Sequence, residues 1–156
     1  MPFPKLNLPP CRLTLRDDKV LDVLRHRFVA LTPEEWVRQH VEHLLTEVMH
    51  YPKELVQAEG TISVNGLARR CDIVVHRKAE EGLQPVMIVE CKAHSVPLSQ
   101  KVLDQASRYN LSLHVPYLFL TNGMKHLLLR VDEERRQLVQ IAEFPTWEEL
   151  VGQMSF

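Results

Sequence analysis

The stretch Val86-Met87-Ile88-Val89-Glu90-Cys91-Lys92 is an apolar run that ends in a carboxylate and an ammonium group. A run that is apolar at every position is typical of a strand buried on both faces, and we predict a central strand here. Successive side chains of a strand alternate between its faces, so Glu90 and Lys92 are expected on the same face. The strand therefore presents two opposite charges together at its end.

A second carboxylate stands upstream, at Asp72, directly before the apolar triplet Ile73-Val74-Val75. If the two apolar runs pair as strands, Asp72 reaches the face that carries Glu90 and Lys92. Charges at the ends of buried strands cost free energy unless something compensates them. Mg²⁺ prefers oxygen ligands and is usually held by one or two carboxylates, so we predict a Mg²⁺ site, with Mn²⁺ as a substitute. Asp72, Glu90 and the backbone carbonyl of Cys91 are its predicted ligands, with an ordinary ion pair at a strand end as the competing interpretation.

Two helices are predicted, one on each side of these strands. Thr32-Pro33-Glu34-Glu35 has the residues of a helix start, and apolar residues then recur at three- and four-residue steps until about His50. By helical phase Glu34 falls beside the apolar stripe, whereas Glu35, interpreted mainly as a cap, and Glu42 fall on the solvated side. Ser99 is predicted to cap a second helix that runs to about Leu113.

Short strand-like runs fill the rest of the chain. We predict a hairpin over residues 13–24, one across Asn65-Gly66 that joins residues 61–64 to 67–76, and a last one across residues 132–134. Residues 77–84 are interpreted as a polar loop, residues 116–121 as a buried strand, and residues 147–154 as a short terminal helix. The fold class is therefore α/β, with a mixed central sheet, flanking helices and added β-hairpins at both ends.

Composition limits the possible functions. The 156 residues suffice for one domain, and no apolar run is long enough for a membrane span or a signal peptide, so we expect a cytoplasmic protein. Three cysteines without a Cys-x-x-Cys pair make a disulfide framework or a structural zinc site improbable. The net charge of −1 argues against strong unaided binding to nucleic acid, which usually requires a basic surplus.

The ordered motifs resemble a known family. Asp72 followed by Glu90-Cys91-Lys92 is similar to the signature of the PD-(D/E)XK nuclease superfamily, which has the restriction-endonuclease-like fold. The surrounding sequence, over about residues 30 to 130, resembles the N-terminal nuclease domain of type I restriction enzyme motor (R) subunits. Within that family it resembles the small stand-alone relatives in particular. The segments that carry this likeness are Thr32 to His40, Asn65 to Val75, Val89 to Ala93, Asp104 to Asn110 and Leu120 to Gly123.

The resemblance implies roles for individual residues. Asp72, Glu90 and Lys92 would be catalytic, and an acid of the first helix would join them, with Glu34 favoured over Glu35. Gln105 and Tyr109 match a Gln-x-x-x-Tyr element that supports the active site or touches DNA in the resembling enzymes. The alternative is a core tyrosine beside a surface glutamine. We also place Arg38 and Arg70 among the substrate-binding residues. Arg70 belongs to a basic cluster that either contacts the phosphate backbone or is simply a solvated strand face; the other members are Arg69, Arg77 and Lys78.

The expected function is a metal-dependent DNA endonuclease whose products carry 5′-phosphates. Two alternatives stay open: a catalytically silent or partner-dependent binding module of the same fold, and a hydrolase directed at RNA or nucleotides. DNA is the expected partner, together with a motor or specificity protein in trans and, as an open question, a second copy of this chain. Residues 1–156 are taken as a single nuclease-like domain, with an appendage at 1–30, the core at 31–131 and a C-terminal extension at 132–156.

Overall fold

The computed structural model describes residues 3–64 and 66–153 and contains a mixed six-stranded sheet between two helices. The strand order is β11-β10-β9-β8-β7-β4, in which β8 and β9 run parallel and every other neighbouring pair is antiparallel. This confirms the predicted α/β class. The strands of the sheet are β4 (Val56–Ala58), β7 (Ile73–Ala79), β8 (Gly82–Cys91), β9 (Tyr117–Thr121), β10 (His126–Asp132) and β11 (Gln137–Gln140).

The remaining elements lie around this sheet. A three-stranded antiparallel sheet precedes the first helix, and a two-stranded hairpin stands beside the main sheet. No helix among the described residues is long and apolar enough to cross a membrane. The small sheets contain β1 (Leu15–Arg16), β2 (Lys19–Asp22) and β3 (Arg27–Ala30), then β5 (Thr61–Val64) and β6 (Leu67–Arg70); the helices are α1 (Pro33–His43), α2 (Gln100–Leu113) and α3 (Trp147–Gln153).

Alternating side chains divide the core into two layers. Along β8, Met87, Val89 and Cys91 pack on the face that α1 and α3 cover, while Ile88 packs on the opposite face. That second face is covered by Ala106 and Leu113 of α2. A strand with an apolar residue at every position therefore serves both layers, as its sequence predicts.

Both predicted helix starts are present. The hydroxyl of Thr32 accepts a hydrogen bond from the backbone N–H of Glu35 (3.0 Å), and that of Ser99 accepts one from Val102 (3.3 Å). These bonds satisfy backbone donors that have no partner inside the helix. The first helix ends differently from the prediction, because it passes into a π-helical turn at Leu44–Val48 instead of continuing to His50.

Several strand predictions are corrected by the structure. Residues 67–76 do not form one strand, since the chain bends at Cys71 and Asp72 and passes from β6 into β7 of another sheet. Residues 77–84 are not a polar loop; they extend β7 and β8 into a longer hairpin with its turn at Glu80 and Glu81. The strands β3 and β4 were not predicted, and Asn65 of the predicted turn and Met154 of the terminal helix lie outside the described residues.

The prediction that Glu42 is a surface acid is wrong, and so is the solvated position assigned to Glu35. Glu42 is 0% exposed and Glu35 is 4% exposed. The side of α1 that faces away from the main sheet is covered by the β2–β3 connection, where Asp22 and Arg25 contact these acids. Because α1 lies between two sheets, it has no solvated side for this part of its length. Helical phase alone cannot show that the N-terminal sheet covers the side that faces away from the main sheet.

Candidate active site

Asp72 and Glu90 come together at one end of the main sheet. Ile73 of β7 pairs with Val89 of β8, so the next residue on each side places Asp72 opposite Glu90. The bend before β7 turns the carboxylate of Asp72 toward β8, where its Oδ2 accepts a hydrogen bond from the backbone N–H of Cys91 at 2.7 Å. This bond fixes the orientation of Asp72 relative to the end of β8.

Glu90 and Lys92 line the same small cavity, of about 100 Å³, beneath the first half of α2. The side chain of Glu90 is 13% exposed, and its Oε1 accepts a hydrogen bond from Arg69 Nη2 at 2.7 Å. Burial raises the pKa of Glu90 to about 7, and Asp72 adds to this rise, while the positive charges of Arg69 and Lys92 oppose it. The backbone of Lys92 is held by a 2.8 Å hydrogen bond from its N–H to the carbonyl of Thr121.

Glu34 faces these groups from the first turn of α1. Its carboxylate interacts with the negative charge of Asp72 and with the positive charges of Arg38 and Lys92. Partial burial and then the negative charge of Asp72 raise the pKa of Glu34 above its usual range. The structure thus brings Glu34 to the site, whereas Glu35 points toward Arg25, Arg38 and Gln39.

Arg38 lies behind Asp72, away from solvent. Its guanidinium is 9% exposed and pairs with Glu35 (3.0 Å), Glu59 (3.3 Å) and Asp72 (3.7 Å). In this arrangement Arg38 supports Asp72, and its donors are directed to carboxylates of the protein. Arg70, by contrast, is 72% exposed and pairs with Glu59 at 3.0 Å, so it lies at the surface beside the site.

Glu59 and Arg25 are two residues of this region that the sequence did not indicate. Glu59 bridges Arg38 and Arg70, and its Oε2 also lies 2.7 Å from Arg25 Nη1. In the structure Glu59 follows the three-residue strand β4 and lies in the left-handed region (φ +53°), but β4 itself was not predicted, so no local pattern identified this residue. Arg25 belongs to the N-terminal sheet, so the contact is between parts of the chain that are distant in sequence.

The two residues of the Gln-x-x-x-Tyr element lie on the side of α2 that faces Glu90. Gln105 is exposed and lines the cavity that also contains Glu90 and Lys92. The ring of Tyr109 lies under the guanidinium of Arg69, 4.2 Å from its centre, which is a cation–π contact. The tyrosine therefore contacts the group that pairs with Glu90.

The oxygen atoms at this end of the sheet are suitable ligands for a hard divalent cation. The backbone N–H of Cys91 points toward Asp72. In an extended strand the N–H and the carbonyl of one residue point to the same side, so the carbonyl of Cys91 also faces Asp72. Two carboxylates and a carbonyl are oxygen ligands of the kind that Mg²⁺ takes. Because Oε1 of Glu90 is paired with Arg69, a cation shared with Asp72 would compete with Arg69 for that oxygen or bind Glu90 through Oε2.

A separate acidic cluster lies on the far side of α1. Among the described residues, Asp22, Glu35 and Glu42 are the one group of three such side chains whose ligand atoms all lie within 4.8 Å of each other. Burial, then the hydrogen bond to Asp22, raises the pKa of Glu42 to about 10. Burial alone would raise the pKa of Asp22, but hydrogen bonds from Glu42 and Arg25 lower it to about 2. A proton held between Asp22 and Glu42, together with Arg25, accounts for this cluster.

Comparison with known proteins agrees with the fold. The family described as "Type I restriction enzyme R protein N terminus" matches residues 33–145. The structure is similar to a fragment of a putative HsdR subunit of a type I restriction enzyme from Vibrio vulnificus YJ016, with a TM-score of 0.54 and 22% sequence identity. The match covers 80% of this chain and 25% of that protein, so the chain spans far less than the length of its structural relative. No curated protein matches the sequence. Since the family match extends over well more than half of the sequence, the chain belongs to the family of type I restriction enzyme R protein N termini.

Proposed function

We propose that the protein is a metal-dependent nuclease that hydrolyses phosphodiester bonds in DNA. The observation that carries this proposal is the convergence of Asp72, Glu90 and Lys92 at one sheet end, with Glu34 facing them. Membership of the R-subunit family supports a nuclease-related role, although the fold alone does not determine a function.

The proposed roles follow from the position of each side chain. Asp72 and Glu90, with the carbonyl of Cys91, would hold Mg²⁺ or Mn²⁺, and Glu34 would contribute a further carboxylate beside Asp72. A bound divalent ion polarises the phosphoryl oxygen and lowers the pKa of water. Lys92 would orient the attacking water or neutralise charge that develops on the phosphate.

The outer residues would bind the nucleic acid. Gln105 lines the cavity beside Lys92, and the exposed guanidinium of Arg70 can reach a phosphate, since Arg–phosphate contacts are charge-assisted. Arg38 is reassigned in this proposal: its buried guanidinium would position Asp72 and would not contact the substrate. The Tyr109 ring would act through Arg69.

One observation favours the second candidate, a module that cuts only with a partner. Asp72 is paired with Arg38, and Glu90 with Arg69, so both predicted metal ligands already have positive neighbours in the isolated chain. The net charge of −1 also offers little general attraction for DNA. A motor or specificity protein in trans would then supply DNA binding.

The test is a cutting assay on the full chain with linear, nicked, supercoiled and single-stranded DNA, and with an RNA of the same sequence. Each substrate is incubated with Mg²⁺, Mn²⁺ or a chelator. Lys92→Ala is the test variant, and Lys53→Ala, at an exposed lysine in the short helical turn before β4, is the matched control.

We expect metal-dependent cutting of DNA that Lys92→Ala abolishes and Lys53→Ala preserves. Cutting of RNA alone would favour the RNA-directed alternative. Wild-type protein that is folded and binds Mn²⁺ yet cuts none of the substrates would favour the partner-dependent module, and equal cutting by Lys92→Ala would refute the assigned site.

A further inference from the structure

Arg69 contacts the carboxylate of Glu90, which the proposed function assigns to a divalent cation. Its Nη2 lies 2.7 Å from Glu90 Oε1, and the side chains are only 15% and 13% exposed. A guanidinium and a divalent cation both compensate a poorly solvated carboxylate, and an oxygen that is bonded to one is less available to the other. The contact therefore sets arginine and metal in competition for the same ligand.

The guanidinium is held from the other side by α2. Its central carbon lies 4.2 Å from the centre of the Tyr109 ring, so the planar group is stacked while one edge reaches Glu90. Cation–π contacts of this kind use the face of the ring, and the tyrosine hydroxyl takes no part in them. Tyr109 thus orients Arg69 toward Glu90.

The donors of Arg69 are only partly satisfied in this position. Among the residues that the structure describes, none accepts a hydrogen bond from the buried Nη1 of Arg69. A buried donor without an acceptor is unfavourable, so the group gains from any arrangement that offers two acceptors at once. A phosphate presents such a pair of oxygens to the planar fork of an arginine.

We propose that Arg69 is an exchangeable occupant of the active site: it neutralises Glu90 when no cation is bound, and a divalent cation displaces it onto a phosphate of the nucleic acid. This inference rests on the proposed function. It adds a residue that holds the site in an inactive form, and it gives the Gln-x-x-x-Tyr tyrosine the role of positioning that residue.

The first experiment measures Mn²⁺ binding by calorimetry to the full-length protein without nucleic acid, at one fixed pH. Arg69→Ala removes the competitor, and we expect the affinity for Mn²⁺ to increase ~10- to 100-fold, the range of a charged hydrogen bond. Arg108→Ala is the matched control, because it removes one positive charge from an exposed position on α2 next to Tyr109. A change in Arg69→Ala no larger than in Arg108→Ala would overturn the proposal.

Three further variants complete the test: two distinguish the ring of Tyr109 from its hydroxyl, and one distinguishes the metal site from its competitor Arg69. Tyr109→Phe keeps the ring and should bind Mn²⁺ like the wild type, whereas Tyr109→Leu should shift the affinity in the direction of Arg69→Ala. Glu90→Gln should weaken Mn²⁺ binding strongly. If Glu90→Gln weakens binding but Arg69→Ala leaves it unchanged, the metal site stands and the exchange fails. If neither variant changes the affinity, both the proposed function and the exchange are refuted.

The second experiment tests the transfer to phosphate. A short fluorescent DNA duplex is titrated in Mn²⁺ with Lys92→Ala protein, so that the duplex is not cut, and with the Lys92→Ala, Arg69→Ala double variant. We expect DNA binding to weaken ~10-fold although Mn²⁺ binds more tightly, since a charged contact to phosphate is lost. Unchanged DNA affinity would refute the transfer.

Discussion

Replacing Glu42 by glutamine is expected to change how the stability of the protein depends on pH. Glu42 is 0% exposed, and burial, followed by its hydrogen bond to Asp22 and the charge of that residue, raises its pKa to about 10. The pKa of Asp22 is lowered to about 2. The folded protein therefore keeps Glu42 protonated and Asp22 ionised at neutral pH, whereas both ionise in the unfolded chain.

The sign and size of the effect follow from this difference. A group whose folded pKa is raised contributes stability that is fully present below its unfolded pKa and is lost as pH rises through the folded pKa. For Glu42 the window runs from its ordinary value of 4.5 to about 10. Within it, the free energy of unfolding decreases by up to about 1.4 kcal/mol for each pH unit. Between about pH 5 and about pH 8 we expect a loss of about 2–4 kcal/mol from this group.

Glutamine removes this loss because its amide stays neutral. The amide nitrogen can donate to Asp22 as the protonated carboxyl does, and its oxygen can accept the bond from Gln39 Nε2 that Glu42 accepts at 3.2 Å. Urea unfolding of the wild type and of Glu42→Gln at several pH values gives the difference between their free energies of unfolding. Distant histidines titrate alike in the two proteins, so their contributions largely cancel in this difference. That difference should grow in favour of Glu42→Gln by about 2–4 kcal/mol from about pH 5 to about pH 8.

Glu80→Gln serves as the control, since Glu80 is exposed at the turn of the β7–β8 hairpin and should show no such trend. A difference between Glu42→Gln and the wild type that stays constant across this pH range would show that Glu42 is ionised in the fold. The interpretation of the Asp22–Glu42 pair as a shared proton would then be wrong.

Three other substitutions test the packing around the site, each by urea unfolding. Leu118→Ala empties a fully buried position in β9 and should lower the free energy of unfolding by about 2–5 kcal/mol, whereas Leu83→Ala, at a residue 56% exposed, should cost less than about 1 kcal/mol. Asn110→Ala removes hydrogen bonds to the carbonyls of Val115 and Tyr117 and should cost about 1–3 kcal/mol. Gly123→Ala should lower the free energy of unfolding by about 1–3 kcal/mol, because Gly123 has φ +85° and a Cβ there would lie 2.8 Å from Leu6 Cδ2. Gly66→Ala should lower it less, because Gly66 has φ +79° but open space around its Cα.

The features that the sequence could predict are those that depend on residues close together in the chain. Thr32 and Ser99 identify both helix starts because an N-cap needs only a side-chain oxygen and a donor three residues later. The apolar run before Glu90 identifies the central strand because its composition reflects burial on both faces. Glu34 was placed beside the apolar stripe by helical phase, which holds wherever one face of the helix packs against the sheet.

The features that the sequence could not predict depend on contacts between distant segments. Strand β4 forms by pairing with β7, which lies about 15 residues further along the chain. The contact between Arg25 and Glu59 and the burial of Glu35 depend on the N-terminal sheet, which meets α1. The break at Asp72 was hidden for a related reason. The residues on both sides of it have strand-like composition, and only pairing partners in two different sheets distinguish β6 from β7.

The distribution of charge bears on the near-neutral composition that first argued against DNA binding. Arg25, Arg38 and Arg69 each contact carboxylates of the chain in partly or fully buried positions, so they add little to the surface potential. In the proposed exchange, a divalent cation between Asp72 and Glu90 would add two positive charges and also release Arg69 from Glu90. The site would then attract phosphate only after the cation is bound, and net charge computed without metal would underestimate its affinity for DNA. On this reasoning, DNA binding by Lys92→Ala protein, which does not cut the duplex, should strengthen with Mn²⁺ more steeply than DNA binding by the Lys92→Ala, Glu90→Gln double variant, and equal dependence on Mn²⁺ in the two proteins would contradict it.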